Sequence, residues 1–135
     1  MNHWILSLPR EDMKHCIKIG VFGLNRNYRL GQVLVGDKVI CCASKEWSVI
    51  GFGEVTEPYY VDDTFIFKKS ELFHNRIGFR ADLLPKAREV NLRETVAELS
   101  IVKDPRNWGM HFRNGITWIS DKDWELLQTR SRVTA

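Results

Sequence analysis

The sequence has few of the features that support a secreted disulfide framework or a membrane span. It contains three cysteines, an odd number, and Cys41 and Cys42 are adjacent, which argues against a disulfide-stapled fold. No apolar run approaches the length of a membrane-spanning helix, and residues 1–10 lack the apolar stretch of a signal peptide. We therefore expect a cytoplasmic protein that does not enter a membrane.

Motifs for metal binding, nucleophilic catalysis and phosphate binding are also missing. The histidines are not clustered with cysteines at the short spacing of zinc sites, because they stand at His3, His15, His74 and His111. The three cysteines lie on predicted strand or helix faces and are interpreted as small core residues. The glycines are spaced unlike a P-loop or a dinucleotide fingerprint. We expect no metal and no cofactor.

The composition is that of one globular domain. A length of 135 residues allows one hydrophobic core, and 44% hydrophobic with 27% charged residues excludes disorder. We expect a single monomeric domain over residues 1–130 and a frayed tail over 131–135. The formal charge of +3 permits a polyanionic partner without requiring one. Five Trp, three Tyr and seven Phe make the chain rich in aromatic rings.

The first half of the chain predicts a strand, a helix and a hairpin. Alternation over residues 3–8 predicts a strand, and Pro9 then opens a short helix that Gly20 ends. Residues 20–31 show no clean period and predict a loop with at most one helical turn. Two further strands are predicted over residues 38–43 and 49–56, joined by a short loop that carries Trp47.

The second half predicts two strands and two helices. Residues 57–69 are expected to cross the surface without regular structure, and residues 76–83 alternate as a half-buried strand. Asn91 and Glu94 form a capping box before a short helix. A last strand over residues 115–119 precedes a helix that starts near Ser120, and the chain beyond Thr129 is expected to fray.

Short strands mixed irregularly with short helices exclude a parallel doubly wound sheet. They favour an α+β fold, built as a small, curved, mixed β-barrel with peripheral helices.

Residues 106–113 are the most unusual segment, because Trp108, Met110, His111 and Phe112 stand beside two arginines without any period. A loop this apolar is costly to expose. It either closes the core at one end of the barrel or lines a binding site, and composition favours neither.

Five segments, in this order, resemble the EVE domains, a branch of the PUA-like folds related in architecture to the YTH domains. They are His3–Leu6, Gly20–Gly23, Val35–Val39, Ile50–Tyr59 followed by Asp62 and Asp63, and Asn107–Phe112. The resemblance implies a PUA-like twisted mixed barrel with one deep pocket, which in related domains holds a modified base between aromatic side chains. It therefore implies a nucleic-acid-binding reader of RNA or DNA.

The resemblance also implies a set of ligand-binding residues. Phe22, beside Gly23, resembles the first aromatic wall, Phe67 or Phe65 the second, and Trp108, Met110 and His111 the lid. Trp4, Ser7 and Ser44 are similar to residues at the pocket floor, and Asn25 is placed to offer an amide to a base edge. Basic residues expected around the mouth, where they would contact phosphates, are Arg26, Arg29, Lys45, Lys68, Lys69, Arg106 and Arg113.

The chain departs from the family pattern at three places. Cys41 and Cys42 stand where many relatives have a phenylalanine or tyrosine, and Phe22 stands where YTH relatives use tryptophan. Residues 7–9 read Ser-Leu-Pro where many members have Ser-Glu-Pro. The ligand is expected to differ accordingly.

Alternatives remain open at this stage. Core packing is the alternative for Trp4, Phe22, Phe67 and Trp108, and Trp47 either flanks the pocket or is an exposed ring. A binding module rather than an enzyme is favoured. The competing functions are an enzyme that acts on a nucleotide, with His111 as acid or base and Arg113 as phosphate clamp, and a protein-interaction subunit whose shallow pocket its own side chains fill.

Overall fold

A computed structural model of the chain describes residues 1–25, 29–67, 73–100, 102, 112 and 114–132. The strands in this part of the chain are β1 (His3–Pro9), β2 (Val21–Leu24), β3 (Lys38–Ser44), β4 (Ser48–Val61), β5 (Asn75–Leu83), β6 (Val90–Asn91) and β7 (Ile116–Ile119). The α-helices are α1 (Arg10–Ile19), α2 (Leu92–Thr95) and α3 (Asp121–Arg132), and short 3₁₀ turns lie at Leu30–Gln32, Lys86–Arg88 and Val96–Glu98.

The strands form one mixed sheet in the order β2-β5-β4-β3-β1-β7, and β6 pairs with the start of β4. β1 and β3 run parallel, and the other ladders are antiparallel. Within the described ranges no ladder joins β2 to β7, so the sheet is open. Its ends still approach each other, because a Cβ built on Gly115 would lie 2.6 Å from Cδ2 of Leu24. The predicted α+β class with a mixed sheet is confirmed, but hydrogen bonds do not close the barrel.

Both faces of the sheet are covered, as the strand alternation requires. Trp4, Leu6 and Leu8 of β1 pack in one hydrophobic cluster with side chains of α1, whereas Ile5 packs in a second cluster with α2 and α3. The neighbouring strands β1 and β3 are therefore buried along almost their whole length.

The cysteines are buried for the same reason. Cys41 and Cys42 are neighbours on β3 and point into opposite clusters, and Cys16 joins the first cluster from α1. Burial raises the pKa of the Cys41 and Cys42 thiols far above the ordinary value. The interpretation of all three as small core residues is confirmed, because all three are buried. The protonated thiols of Cys41 and Cys42 are poor nucleophiles.

Several predicted elements are confirmed with small changes in their ends. The first helix follows Pro9 and ends at Gly20, which takes the left-handed conformation (φ 76°) that favours glycine. The Asn91 side chain caps α2 by accepting a hydrogen bond from the backbone N–H of Arg93 at 2.9 Å. The predicted strands over residues 3–8, 38–43, 76–83 and 115–119 correspond to β1, β3, β5 and β7.

Three predictions from the sequence are wrong. Residues 21–24 form the strand β2 rather than a loop, and β4 continues through Val61 rather than ending at Thr56. Helix α3 runs to Arg132, so the chain does not fray immediately after Thr129. The end of α3 is fixed because Ser131 is buried and its carbonyl accepts a hydrogen bond from Arg88 Nε at 2.8 Å.

Candidate ligand-binding site

An open cavity of about 450 Å³ lies at one end of the sheet. Because β1 and β3 are parallel and Pro9 pairs with Ser44, their carboxyl ends meet at the same edge. The end of β2 and the residues before β7 complete the walls, where the two ends of the open sheet approach each other. Its described lining residues are Ser7, Leu8, Pro9, Leu24, Asn25, Ser44, Lys45, Trp47, Phe112, Asn114 and Gly115.

Lys45 and Trp47 reach the cavity from the tight turn between β3 and β4. Both take the left-handed conformation, with φ of 72° and 56°, which costs about 1 kcal/mol or more for a residue with a side chain. The carbonyl of Trp47 accepts a hydrogen bond from the N–H of Leu92 at 2.8 Å. The half-buried Trp47 ring lies 5.9 Å from the ring of Phe112, at an angle of 48°. The turn therefore holds an aromatic wall at the cavity.

The polar groups at the cavity have two different roles. The Ser7 hydroxyl donates to the carbonyl of Phe112 at 3.2 Å, and the Ser7 N–H donates to the carbonyl of Gly115 at 2.9 Å. These bonds tie the chain before β7 to β1. The Ser44 hydroxyl and the Lys45 ammonium make no hydrogen bond to any other described residue, so both can be offered to a ligand.

An ion-pair network stands beside the cavity at the start of α1. Arg10 donates to Glu46 through Nε (2.9 Å) and Nη2 (3.1 Å), and to Glu89 through Nη1 (2.8 Å) and Nη2 (2.7 Å). The hydrogen bonds to Glu89 and Glu46 raise the pKa of Arg10, and the Arg10 hydrogen bonds lower the pKa of Glu46. The charge of Arg10 is thus neutralised by two carboxylates. Among the described residues that line the cavity, Lys45 supplies the positive charge.

Four of the sequence-predicted site residues come together here. Ser7, Asn25, Ser44 and Lys45 all line the cavity, from β1, the end of β2, and the β3–β4 turn.

The aromatic residues expected to form the cage lie elsewhere. Trp4 and Phe22 are 1% and 0% exposed in the core, and Gly23 is buried beside them. Phe67 is also buried, with its ring 5.8 Å from His15 and 5.1 Å from Phe73. Neither these residues nor the exposed Phe65 are among those that line the cavity. Core packing, the alternative for Trp4, Phe22 and Phe67, describes their surroundings.

Arg29 is also away from the cavity lining. Its guanidinium carbon lies 5.2 Å from the centroid of the Trp4 ring, a cation–π contact that covers the tryptophan. The remaining predicted site residues lie outside the described part of the chain. They are Arg26, Lys68, Lys69, Arg106, Trp108, Met110, His111 and Arg113.

Sequence reasoning did not place Leu8, Pro9, Leu24, Asn114 and Gly115 at the cavity, and it left Trp47 and Phe112 undecided. The signal for Trp47 was a large ring in an otherwise polar loop. Leu24 and Gly115 are brought together by the approach of the sheet ends. The sequence around each residue shows no local pattern that predicts this approach.

The arrangement is suited to binding. An aromatic side, neutral polar groups and one lysine surround an open space of the size that small-ligand sites usually have. Among the described residues no three His, Cys, Asp or Glu side chains lie close enough to hold a metal ion. In the same part of the chain no helix is long and apolar enough to span a membrane.

Comparison with known proteins agrees with this description. The family model of the EVE domain matches residues 2–130. The chain belongs to the EVE domain family. A curated relative, UPF0310 protein PH1033 of Pyrococcus horikoshii, is 26% identical over 141 residues, which cover 95% of the chain and 97% of the relative.

Solved structures of other proteins share the fold of this EVE domain, and two of them are described in complex with DNA or as a YTH domain. Human THYN1, in complex with DNA that contains 5-methylcytosine, superposes with a TM-score of 0.62 at 15% identity, covering 96% of the chain and 98% of THYN1. The Mmi1 YTH domain gives a TM-score of 0.62 at 13% identity, covering 96% of the chain and 93% of that domain. The expected family and its PUA-like fold, related to YTH domains, are therefore confirmed.

Proposed function

We propose that this EVE domain is a nucleic-acid-binding reader module, and that its cavity holds a modified base or nucleotide. A flat base would stack against Trp47, while the hydroxyl of Ser44 and the amides of Asn25 and Asn114 face its edge. Lys45 would contact the adjoining phosphate.

The observation that carries the proposal is the Trp47 wall of an open cavity with polar residues around it. Stacking of a base on an aromatic side chain contributes about 1 to 3 kcal/mol and tolerates any base, because every base has a π-face. Selection then falls to hydrogen bonds at the base edge, which neutral hydroxyl and amide groups can make without a bound metal.

The relatives support the proposal. THYN1 shares the fold over nearly the whole chain and binds DNA that contains 5-methylcytosine. A base within a duplex reaches such a cavity only after it leaves the base stack, which costs a few kcal/mol, and less in single strands. We therefore expect single-stranded or locally unpaired nucleic acid to bind more tightly than regular duplex.

Replacing Trp47 tests the proposal. The Trp47→Ala variant should lose about 1 to 2 kcal/mol of affinity, about tenfold, because the stacking surface is removed. Binding is measured by fluorescence anisotropy with short labelled oligonucleotides, RNA and DNA, that carry either an unmodified base or a methylated base such as 5-methylcytosine.

Trp118→Ala is the matched control, because Trp118 is 39% exposed on β7 and does not line the cavity. Its affinity for the oligonucleotides should equal that of the unaltered protein. Equal losses in both variants, or no binding to any oligonucleotide at low salt, would show that the cavity does not read bases.

The two competing functions have less support. The enzyme hypothesis depends on His111 and Arg113, which lie outside the described residues. The protein-interaction hypothesis expects a cavity filled by the chain's own side chains, whereas about 450 Å³ is open. Conversion of nucleotides by the purified protein, lost in His111→Ala, would favour the enzyme.

A further inference from the structure

Arg10 joins three elements beside the cavity. Its guanidinium makes two hydrogen bonds to Glu46 in the β3–β4 turn and two to Glu89, just before β6. The Arg10 side chain is 22% exposed and that of Glu89 is 13% exposed, so the Arg10–Glu89 pair is the more buried half of the network. Two parallel hydrogen bonds between a guanidinium and a carboxylate fix the relative orientation of the two groups as well as their distance.

Glu46 is the outer end of this network, and it stands between the two residues whose side chains reach the cavity. Lys45 and Trp47 both have positive φ, a conformation that persists only where surrounding contacts enforce it. Helix α2 also contacts the turn. Leu92 N–H donates to the Trp47 carbonyl at 2.8 Å, and Arg93 Nη2 donates to the Lys45 carbonyl at 3.1 Å.

We infer that Arg10 is a positioning residue for the binding site: through Glu46 it holds the Lys45–Trp47 turn in the conformation that places the Trp47 ring at the cavity. The inference rests on the proposed function, in which Trp47 is the stacking wall. Arg10 itself is not among the residues that line the cavity. Its charge acts on the turn rather than on the ligand.

The arginine is needed for its shape. A lysine has the same charge as arginine, but it carries that charge on a single ammonium group. An ammonium cannot make the pairs of parallel hydrogen bonds by which the guanidinium binds both carboxylates. Arg10→Lys should therefore loosen the turn although the net charge is unchanged.

Amide hydrogen exchange tests the inference without a ligand. The Leu92 N–H reports on the turn because its hydrogen bond ends on Trp47, and the Leu84 N–H reports on the rest of β4 because its bond ends on Ile50. In Glu46→Gln the Leu92 amide should exchange about three- to fivefold faster, and the Leu84 amide at its original rate.

Glu98→Gln is the control. Glu98 pairs with Arg130 at 2.6 Å and its side chain is 46% exposed, close to the 48% of Glu46, but it is remote from the cavity. Glu98→Gln should leave both amides unchanged. If Glu46→Gln and Arg10→Lys change the Leu92 amide no more than the Leu84 amide, Arg10 contributes only general stability and the inference is wrong.

A binding measurement separates this inference from the proposed function. With a single-stranded DNA containing 5-methylcytosine as probe, Glu46→Gln should weaken binding about threefold and Glu98→Gln should not. Unchanged affinity in Glu46→Gln would overturn the positioning role. Failure of the unaltered protein to bind the probe counts against the proposed function, and the exchange rates then decide the role of Arg10.

Discussion

The buried carboxylate of Asp37 links the turn before β3 to the start of β1. Its Oδ2 accepts hydrogen bonds from Trp4 Nε1 at 3.0 Å and Leu34 N–H at 2.9 Å, and its Oδ1 accepts from Asn2 N–H at 3.0 Å. Burial opposes ionisation of the carboxyl, but the three hydrogen bonds outweigh burial and lower the pKa of Asp37. The Asp37 carboxylate thus provides the hydrogen-bond acceptor for the indole N–H of the buried Trp4.

Asp37→Asn should lower the free energy of unfolding by about 2 kcal/mol at neutral pH, since hydrogen bonds to a charged group are lost. A lowered folded pKa stabilises the protein above the ordinary aspartate pKa of 3.8, and this stabilisation is lost as the pH falls through the lowered value. The difference between Asp37→Asn and the unaltered protein should therefore shrink on acidification. Urea unfolding at a series of pH values measures it.

Asp63→Asn is the control for this prediction, because Asp63 is exposed and makes no hydrogen bond within the described residues. It should change stability little at any pH. A difference between Asp37→Asn and the unaltered protein that stays constant down to acid pH would contradict the role given to the carboxylate.

At the scale of residues, more of the polar than of the aromatic residues proposed from the sequence lie at the cavity. Ser7, Ser44 and Asn25 line the cavity as the family resemblance implied. An aromatic ring fits a core and a binding site equally well, so sequence could not separate Phe22 from Trp47. Burial separates them, because Phe22 is 0% exposed whereas Trp47 is half-buried at the cavity.

Among the elements, β4 is the one that departs most from a regular pattern. It pairs with β3, β5 and β6, and its register against β5 shifts between Val55 and Glu57 and again between Glu57 and Tyr60. Pro58 lies in the second shift, where a residue without an N–H is tolerated. Because Pro58 and the irregular order of apolar and polar residues break the strand pattern, residues 57–61 of β4 resembled an irregular segment in the sequence.

Gly53 of β4 tests how closely the strands approach. A Cβ at this position would lie 2.0 Å from the carbonyl oxygen of Arg80 and 2.6 Å from Cα of Ala81, so β4 and β5 would have to separate. We expect Gly53→Ala to cost about 3 kcal/mol of unfolding free energy. Chemical denaturation of the purified variant measures this value.

Gly36→Ala provides the comparison, since no atom lies within 4 Å of its built Cβ and only its positive φ of 92° opposes a side chain. It should cost about 1 kcal/mol. A cost for Gly53→Ala no larger than that for Gly36→Ala would mean that the close contact between β4 and β5 is absent in solution.

Elements with a strong local pattern were predictable, and those that depend on distant contacts were not. Pro9, Gly20 and Asn91 mark the ends of helices through their own backbone chemistry. The four-residue strand β2 has no room for a period, and it exists because it pairs with β5. Gly23 belongs there because a Cβ would lie 2.7 Å from the carbonyl oxygen of Phe73.

For the molecule as a whole, the cavity is a result of topology. Parallel pairing of β1 with β3 brings residues 7–9 beside residues 44–47, and the approach of the sheet ends adds Leu24 and Gly115. No local pattern in the sequence encodes this convergence. Only the family resemblance predicted part of it, because it placed Ser7, Ser44 and Asn25 in one pocket.

The positive charge of Lys45 at the cavity leads to a prediction about how nucleic-acid affinity depends on salt concentration. If Lys45 contacts one phosphate, Lys45→Ala should reduce the slope of log affinity against log salt concentration by about 0.7 for a single strand. Lys122→Ala, on the exposed side of α3, removes the same charge away from the cavity and should leave the slope unchanged. Oligonucleotide titrations at several salt concentrations give both slopes.

Backbone amide chemical-shift mapping tests most directly whether the cavity is the base-binding site. An isotope-labelled sample is titrated with a short single-stranded oligonucleotide that carries a methylated base. We expect the largest shifts at the cavity residues Ser7, Asn25, Ser44, Lys45, Trp47 and Gly115. Shifts concentrated on α3 and the outer face of β5, with the cavity residues unmoved, would contradict it.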